Sequence, residues 1–191
     1  MSKANRDKVA DLLGAHGIDK SVCHRVVSNP YFNNATNEQF HFPFKCLLKI
    51  LRDAANAGVP GKSLKTAIGR LQQNNIQALG NLAEIVCGLS NGKDYGGLKE
   101  WNRIDGNTDD DWVGKNSTCH QVKHSVSSKP PSYRQLQTWC AKRRKAGYNW
   151  SQLVIWAGVP FTQLSKRTQK YINGYKPEYQ VFQLDARTIC K

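Results

Sequence analysis

Apolar positions recur every three to four residues along the first half of the chain and gather in short runs along the second. That pattern predicts helices first and a sheet later. Val9, Leu12 and Leu13 form the buried side of a helix from Ala4 to His16, with Gly17 as its stop. Asp19 caps a second helix carrying Val22, Val26 and Val27, which Asn29-Pro30 ends. Two short helices joined near a glycine admit a helix-turn-helix reading, although such pairs are more often packing units. Tyr31 to Phe44 is an aromatic loop rich in Asn, and its His41 reads as a loop residue because no second His or Cys stands at metal spacing. Pro43 occupies the first turn of a third helix with Leu47, Leu48, Ile50 and Leu51 inward. After the break Gly58-Val59-Pro60-Gly61, Ser63 caps a helix through Leu71. A further helical segment, Ile76 to Leu89, aligns Leu79, Leu82, Ala83 and Val86 in one stripe, with Glu84 on its flank.

Gly88 and the run Asn91 to Gly97 read as a loop into a first strand, Leu98 to Ile104. Asp109-Asp110-Asp111-Trp112-Val113, the turn-like Gly114-Lys115-Asn116-Ser117 and a second extended run from Thr118 to Val126 read as a β-hairpin. Period 2 puts Gln121 and Lys123 on one face and Val122 on the other. Ser132 caps a helix through Arg144 that turns Leu136, Trp139 and Cys140 inward and leaves Arg134, Lys142, Arg143 and Lys145 toward solvent; Gly147 stops it. Leu153-Val154-Ile155-Trp156 is a buried strand, Thr162 to Ile172 a basic and weakly helical segment, and Tyr179 to Leu184 a last strand. The expected architecture is α/β, with a helical region over 1–75 packed on an α/β core over 76–191. No internal repeat or flexible linker divides it.

Charge changes the picture more than composition does. The 191 residues suffice for a core that removes about 70% of the unfolded surface from water. Net charge is +14, from 28 Lys and Arg against 14 Asp and Glu. Between Glu84 and Asp111 stand seven acids and three bases; from Trp112 to Pro177 stand twelve bases and no acid. A long stretch of one sign points to a polyanionic partner. Acids set directly before it would repel phosphate unless a cation lay between them. No apolar run reaches membrane-span length and the first residues lack the apolar segment of a signal peptide, so a cytoplasmic protein is expected. Six cysteines without a CxxC pair are expected to be reduced thiols.

The hairpin brings the carboxylate of Asp111 toward the amide of Gln121 and the amine of Lys123. Such a group can hold a hard divalent cation and a water beside it. The arrangement resembles the PD-(D/E)xK nuclease superfamily, the restriction-endonuclease-like group, in the variant with Gln for the second acid. In that family an acid precedes a strand, a hairpin follows, and the next strand carries (D/E/Q)-x-K. A Glu often comes from an upstream helix, and a helix and an apolar strand come after. The resemblance spans roughly the C-terminal half by the boundaries drawn here. No Pro precedes the acid, and Asp109 or Asp110 fits its place as well as Asp111.

What the resemblance implies is a central mixed β-sheet flanked by helices and Mg²⁺-dependent hydrolysis of phosphodiester bonds in DNA, of restriction or mobile-element and phage type. Mn²⁺ would substitute. Asp111, Glu84, Gln121 and the carbonyl of Val122 would ligate the ion, and Lys123 would act on the attacking water. Lys129, Arg134, Lys142, Arg143, Arg144, Lys166, Arg167 and Lys170 would line the nucleic acid, with Tyr133, Tyr148 and Tyr175 as exposed aromatics. A double-strand cut by one site per chain would imply a homodimer. Cleavage of RNA or tRNA by a toxin-like nuclease is the first alternative, and a non-catalytic basic DNA-binding protein is the second. The acids beside the basic stretch favour the enzyme. Cys119, His120 and His124 do not make a zinc site, because alternation separates the cysteine from the histidines and four ligands are lacking. The glycines form no P-loop.

Overall fold

The computed structural model describes residues 3–34, 36–104, 109–123, 129–147, 149 and 152–191. His124 and Tyr148, and the side chain of Asp109, lie outside them. Five helices come first: α1 (Lys3–Gly14), α2 (Lys20–Val27), α3 (Phe44–Ala55), α4 (Gly61–Arg70) and α5 (Gln77–Asn91). Then follow β1 (Leu98–Ile104), β2 (Asp109–Gly114), β3 (Cys119–Lys123), α6 (Tyr133–Lys145), β4 (Leu153–Ala157), α7 (Lys166–Tyr175), β5 (Glu178–Val181) and α8 (Ala186–Ile189). The sheet runs β1-β2-β3-β4-β5 in space. Its first two pairings are antiparallel and its last two parallel. No helix among the described residues is long and apolar enough to cross a membrane.

Local chemistry accounts for most boundaries. The Asp19 carboxylate accepts from the Ser21 amide at 2.6 Å and starts α2. Ser132 and Gln135 form a reciprocal capping box that starts α6. Gly17 and Gly147, with φ of 75° and 78°, supply the left-handed residue after α1 and α6. Pro43 stands just before α3 instead of in its first turn.

β4 shows why the sheet is covered on both sides. Val154 and Trp156 belong to a large core that extends from α1 through α5 to Leu184. Leu153 and Ile155 belong to a second core with Leu136 and Cys140 of α6 and Ile172 of α7. Alternation along one strand thus assigns α5 to one face of the sheet and α6 with α7 to the other.

Several expectations are corrected. Leu12 is exposed, and Ala10 takes its place beside Val9 and Leu13. Ser63 does not cap α4. It lies buried in the first turn, where its hydroxyl accepts from the Trp101 amide and donates to the Trp101 carbonyl, tying α4 to β1. Gly88 is inside α5, because a Cβ there would stand 2.8 Å from Trp101 Nε1 and 3.2 Å from Leu98 Cδ1. Only glycine lets the helix lie this close to the sheet. Cys46 at the start of α3 is bonded to Cys190 after α8, while Cys23, Cys87, Cys119 and Cys140 are buried thiols outside any disulfide. The expectation of six reduced thiols fails because the pair is 144 residues apart and only the fold brings it together.

Gly88→Ala separates two effects. Helix propensity alone favours Ala by about 1 kcal/mol. Crowding against Trp101 and Leu98 should outweigh it and lower stability by about 1–3 kcal/mol. Thermal unfolding followed by circular dichroism checks this, and a higher midpoint would mean that α5 does not need the close approach.

Candidate functional site

β2 is irregular where the acids lie. Asp110 and Trp112 are two residues apart and would share a face in a regular strand. Trp112 instead joins the core under α5, stacked on His120 with ring centroids 3.3 Å apart. Asp110 turns to the α6 side. Its carboxylate accepts from Arg103 Nη2 at 2.6 Å and Nε at 3.1 Å, and it pairs with Arg143 of α6. Opposite on β1, Asn102 has φ 49°, a left-handed value that Asn tolerates better than most residues. Between these two turns Asp111 lies in the plane of the sheet, where its Oδ2 accepts from the backbone N–H of Val122 at 2.6 Å. The contact stands in for a ladder bond just past the paired residues Trp112–His120 and Val113–Cys119.

Val122 is the middle residue of Gln121-Val122-Lys123. In an extended strand the N–H and C=O of one residue face the same neighbouring strand, so the Val122 carbonyl also faces β2. Gln121 is in register with Ile155, which faces α6 and α7, whereas Val122 packs on the α5 core. Gln121 and Lys123 therefore lie on the α6 side. Gln121 is buried, and its Nε2 reaches the His120 carbonyl at 3.5 Å. Lys123 is half-buried, and its ammonium makes no ion pair or hydrogen bond among the described residues.

Glu84 approaches from the other face. It is half-buried on α5, and its Oε2 accepts from Asn102 Nδ2 at 3.0 Å. One turn on, burial pushes the Cys87 thiol well up, and the charges of Asp111 and Glu84 push it further. Asp111 and Glu84 thus both lie within electrostatic reach of the Cys87 thiol. Their donor chemistry, with the Gln121 amide and the Val122 carbonyl, is all oxygen and suits a hard cation. Among the described residues there is no group of three or more His, Cys, Asp or Glu that could hold a metal ion.

His120 is structural. The Trp156 indole N–H donates to its Nδ1 at 2.9 Å, so the ring proton sits on Nε2 and donates to Thr118 Oγ1 at 3.0 Å. Both nitrogens are committed, which removes His120 as a metal ligand. Cys119 accepts from Arg103 Nη2 at 3.3 Å.

Of the expected nucleic-acid residues, Lys129, Arg134, Lys142, Arg144, Lys166, Arg167 and Lys170 are exposed. Arg143 is not: its side chain is 3% exposed and paired with Asp110. The signal was present in the spacing, since Leu136, Cys140 and Arg143 stand at i, i+4 and i+7 on one helical stripe. Compared with protein-family models, with curated proteins and with solved structures, the chain matches none.

Two outcomes test this account. Asp110→Asn removes the buried carboxylate charge that the Arg103 and Arg143 guanidinium groups share. It should cost about 3–5 kcal/mol, a drop of about 6–20 °C in the unfolding midpoint. Arg144→Ala on the exposed face should stay within about 0.5 kcal/mol of the parent. An unchanged midpoint for Asp110→Asn would deny the trio its role. The second outcome concerns pH. Burial lowers the His120 pKa from 6.5 to about 3. Below pH 6.5 the unfolded chain takes up a proton that the folded chain refuses, so His120 makes stability fall from pH 6.5 toward 3 and level off below. His120→Gln should flatten the midpoint's dependence on pH in that window. An unaltered slope would place the titration elsewhere.

Proposed function

We propose that this protein is a Mg²⁺-dependent endonuclease hydrolysing phosphodiester bonds in DNA, with Asp111, Gln121, Lys123 and Glu84 as its site. The observation that carries the reading is the hydrogen bond from the Val122 amide to Asp111, which holds an acid against the centre of a Gln-x-Lys strand. Chain order supports it as well. A helix bearing Glu84, the acid on β2, the hairpin to β3, then α6 and the apolar β4 follow the order expected from the PD-(D/E)xK resemblance.

Asp111, Gln121 Oε1 and the Val122 carbonyl are the oxygens that would hold the ion, with Mn²⁺ as a substitute, and Glu84, on the other face, would hold a second one. Bound there, Mg²⁺ would offset charge on the phosphate and lower the pKa of a coordinated water. The Val122 N–H braces one Asp111 oxygen and so fixes the direction of the carboxylate. Lys123 would orient the attacking water, assist its deprotonation and attract the scissile phosphate. Gln121 leaves the site one negative charge short of an all-acid set, which lessens repulsion toward phosphate. The exposed bases of α6 and α7 would hold the strand.

One observation favours a second reading, a basic protein that binds nucleic acid without cutting it. Asp110 is paired with two arginines and Asp111 with a backbone amide, so these acids have structural partners without any metal ion. Purified protein incubated with plasmid DNA and with total tRNA, with and without Mg²⁺, separates the readings. Cutting of tRNA alone would move the substrate to RNA, and cutting of neither would leave the binder.

Asp111→Asn should lose cleavage yet bind DNA at least as tightly without metal, because a carboxylate no longer opposes phosphate. Lys123→Ala should lose cleavage by about 10² or more and bind slightly more weakly. Mn²⁺ should partly restore the first variant and not the second. Cleavage and metal-free binding measured side by side decide. Parental activity in both variants would remove the site.

A further inference from the structure

The acid-free half of the chain forms more than a charged surface. α6 and α7 lie side by side on one face of the sheet, and the groove between them, about 730 Å³, is lined by Tyr133, Tyr171 and Tyr175 with Arg144 and Lys145. Tyr133 and Tyr171 meet edge to face at 5.2 Å, and Tyr171 and Tyr175 are tilted at 4.7 Å. The guanidinium of Arg167 lies over the Tyr133 ring at 4.0 Å. Gln137 donates to the Tyr133 hydroxyl at 2.9 Å and so holds that ring in place. Ala141, small and at the centre of the α6 side, keeps the groove open. Neither helix carries an acid.

Two features distinguish this groove from a solvated basic face. Phosphate alone needs cations and no aromatic surface, and duplex DNA hides its base faces in the stack. Three tyrosine rings and a stacked guanidinium among cations suit a flat, π-faced group attached to a phosphate chain. We infer that the groove between α6 and α7 is a stacking site for unpaired nucleotides of a single nucleic-acid strand. The inference rests on the reading of the basic half as a nucleic-acid surface, and it does not depend on cleavage. It adds to that reading that the partner presents an unpaired segment, such as a flap, a loop or a frayed end. Bases in such a segment stack on the rings of Tyr171 and Tyr175 while Arg144 and Lys145 hold the adjoining phosphates.

Fluorescence anisotropy tests it with short oligothymidylate, oligouridylate, an abasic deoxyribose-phosphate oligomer of equal length, a duplex and polyglutamate. Either base-bearing strand should bind at least about five-fold more tightly than the abasic one, the lower end of a single stacked base. The better of the two identifies DNA or RNA as the source. Tyr175, 45% exposed at the end of α7, can be changed without touching a core. Tyr175→Ala should weaken oligonucleotide binding by about five-fold or more and leave abasic binding unchanged, while Tyr175→Phe keeps the ring and should match the parent. Equal binding of abasic and base-bearing strands would overturn the inference, as would equal binding of polyglutamate or a Tyr175→Phe as weak as Tyr175→Ala. Plasmid cleavage run in parallel keeps the failures apart. Cleavage with no preference for bases defeats only the stacking site, whereas absence of any nucleic-acid binding defeats both.

Discussion

The buried carboxylate of Asp110 between the guanidinium groups of Arg103 and Arg143 is the contact on which the sheet's shape depends. It joins β1, β2 and α6, two strands and the helix that covers them. Burying Asp110 and Arg143 costs several kcal/mol per ion unless each finds its partner. The geometry that satisfies them is therefore strict. It forces Asp110 toward α6 while Trp112, two residues on, stays in the core under α5. The pleat of β2 breaks between them. Asp111 is left in the plane of the sheet, where a backbone amide of β3 meets it. The proposed chemistry therefore starts from a structural ion pair one residue away.

The aromatic side of the same strand fixes the opposite face. Trp112, His120, Trp156 and Tyr95 form one aromatic cluster, with Tyr95 edge-on, in which the indole of Trp156 sets the tautomer of His120. A rigid face on one side and a rigid ion pair on the other leave the end of the β2–β3 pairing as the place where polar groups can meet. Gln121 and Lys123 flank it from the α6 side, while Glu84 of α5 meets Asn102 of β1 on the other face. Two neighbouring acids of the run thus do unlike things: Asp110 holds the fold and Asp111 braces the strand.

The basic half divides in the same way. Arg143 belongs to the interior, whereas Arg144 and Lys145, its neighbours in sequence, line the groove with the tyrosines. Counting bases along the chain treats them alike; a helical turn of 100° separates a structural cation from one that can meet a phosphate.

Signals within a few residues were legible without the fold. Asp19 and Ser132 as caps, Gly17 and Gly147 as stops, the hairpin about Gly114 to Ser117, and the all-buried run from Leu153 to Trp156 follow from hydrogen bonds or alternation inside one segment. So did the order of helices and strands, and with it an α/β chain, whereas the parallel pairings that make the five-stranded sheet mixed join segments far apart in the chain. Position within an element was less secure where a partner from far away decides. Leu12 lost the core to Ala10, Ser63 was drawn in by the backbone of Trp101, and Gly88 was kept in a helix by the width of two indoles. Cys46 met Cys190 only because the start of α3 lies beside the end of α8. The candidate site divides along that line. Gln121 and Lys123 could be assigned to one face from period 2, but the break in β2 that puts Asp111 in the sheet plane depends on Arg103 and Arg143. A carboxylate's nearest cation is a property of the tertiary structure, since Coulomb attraction acts across space and takes no account of distance along the chain.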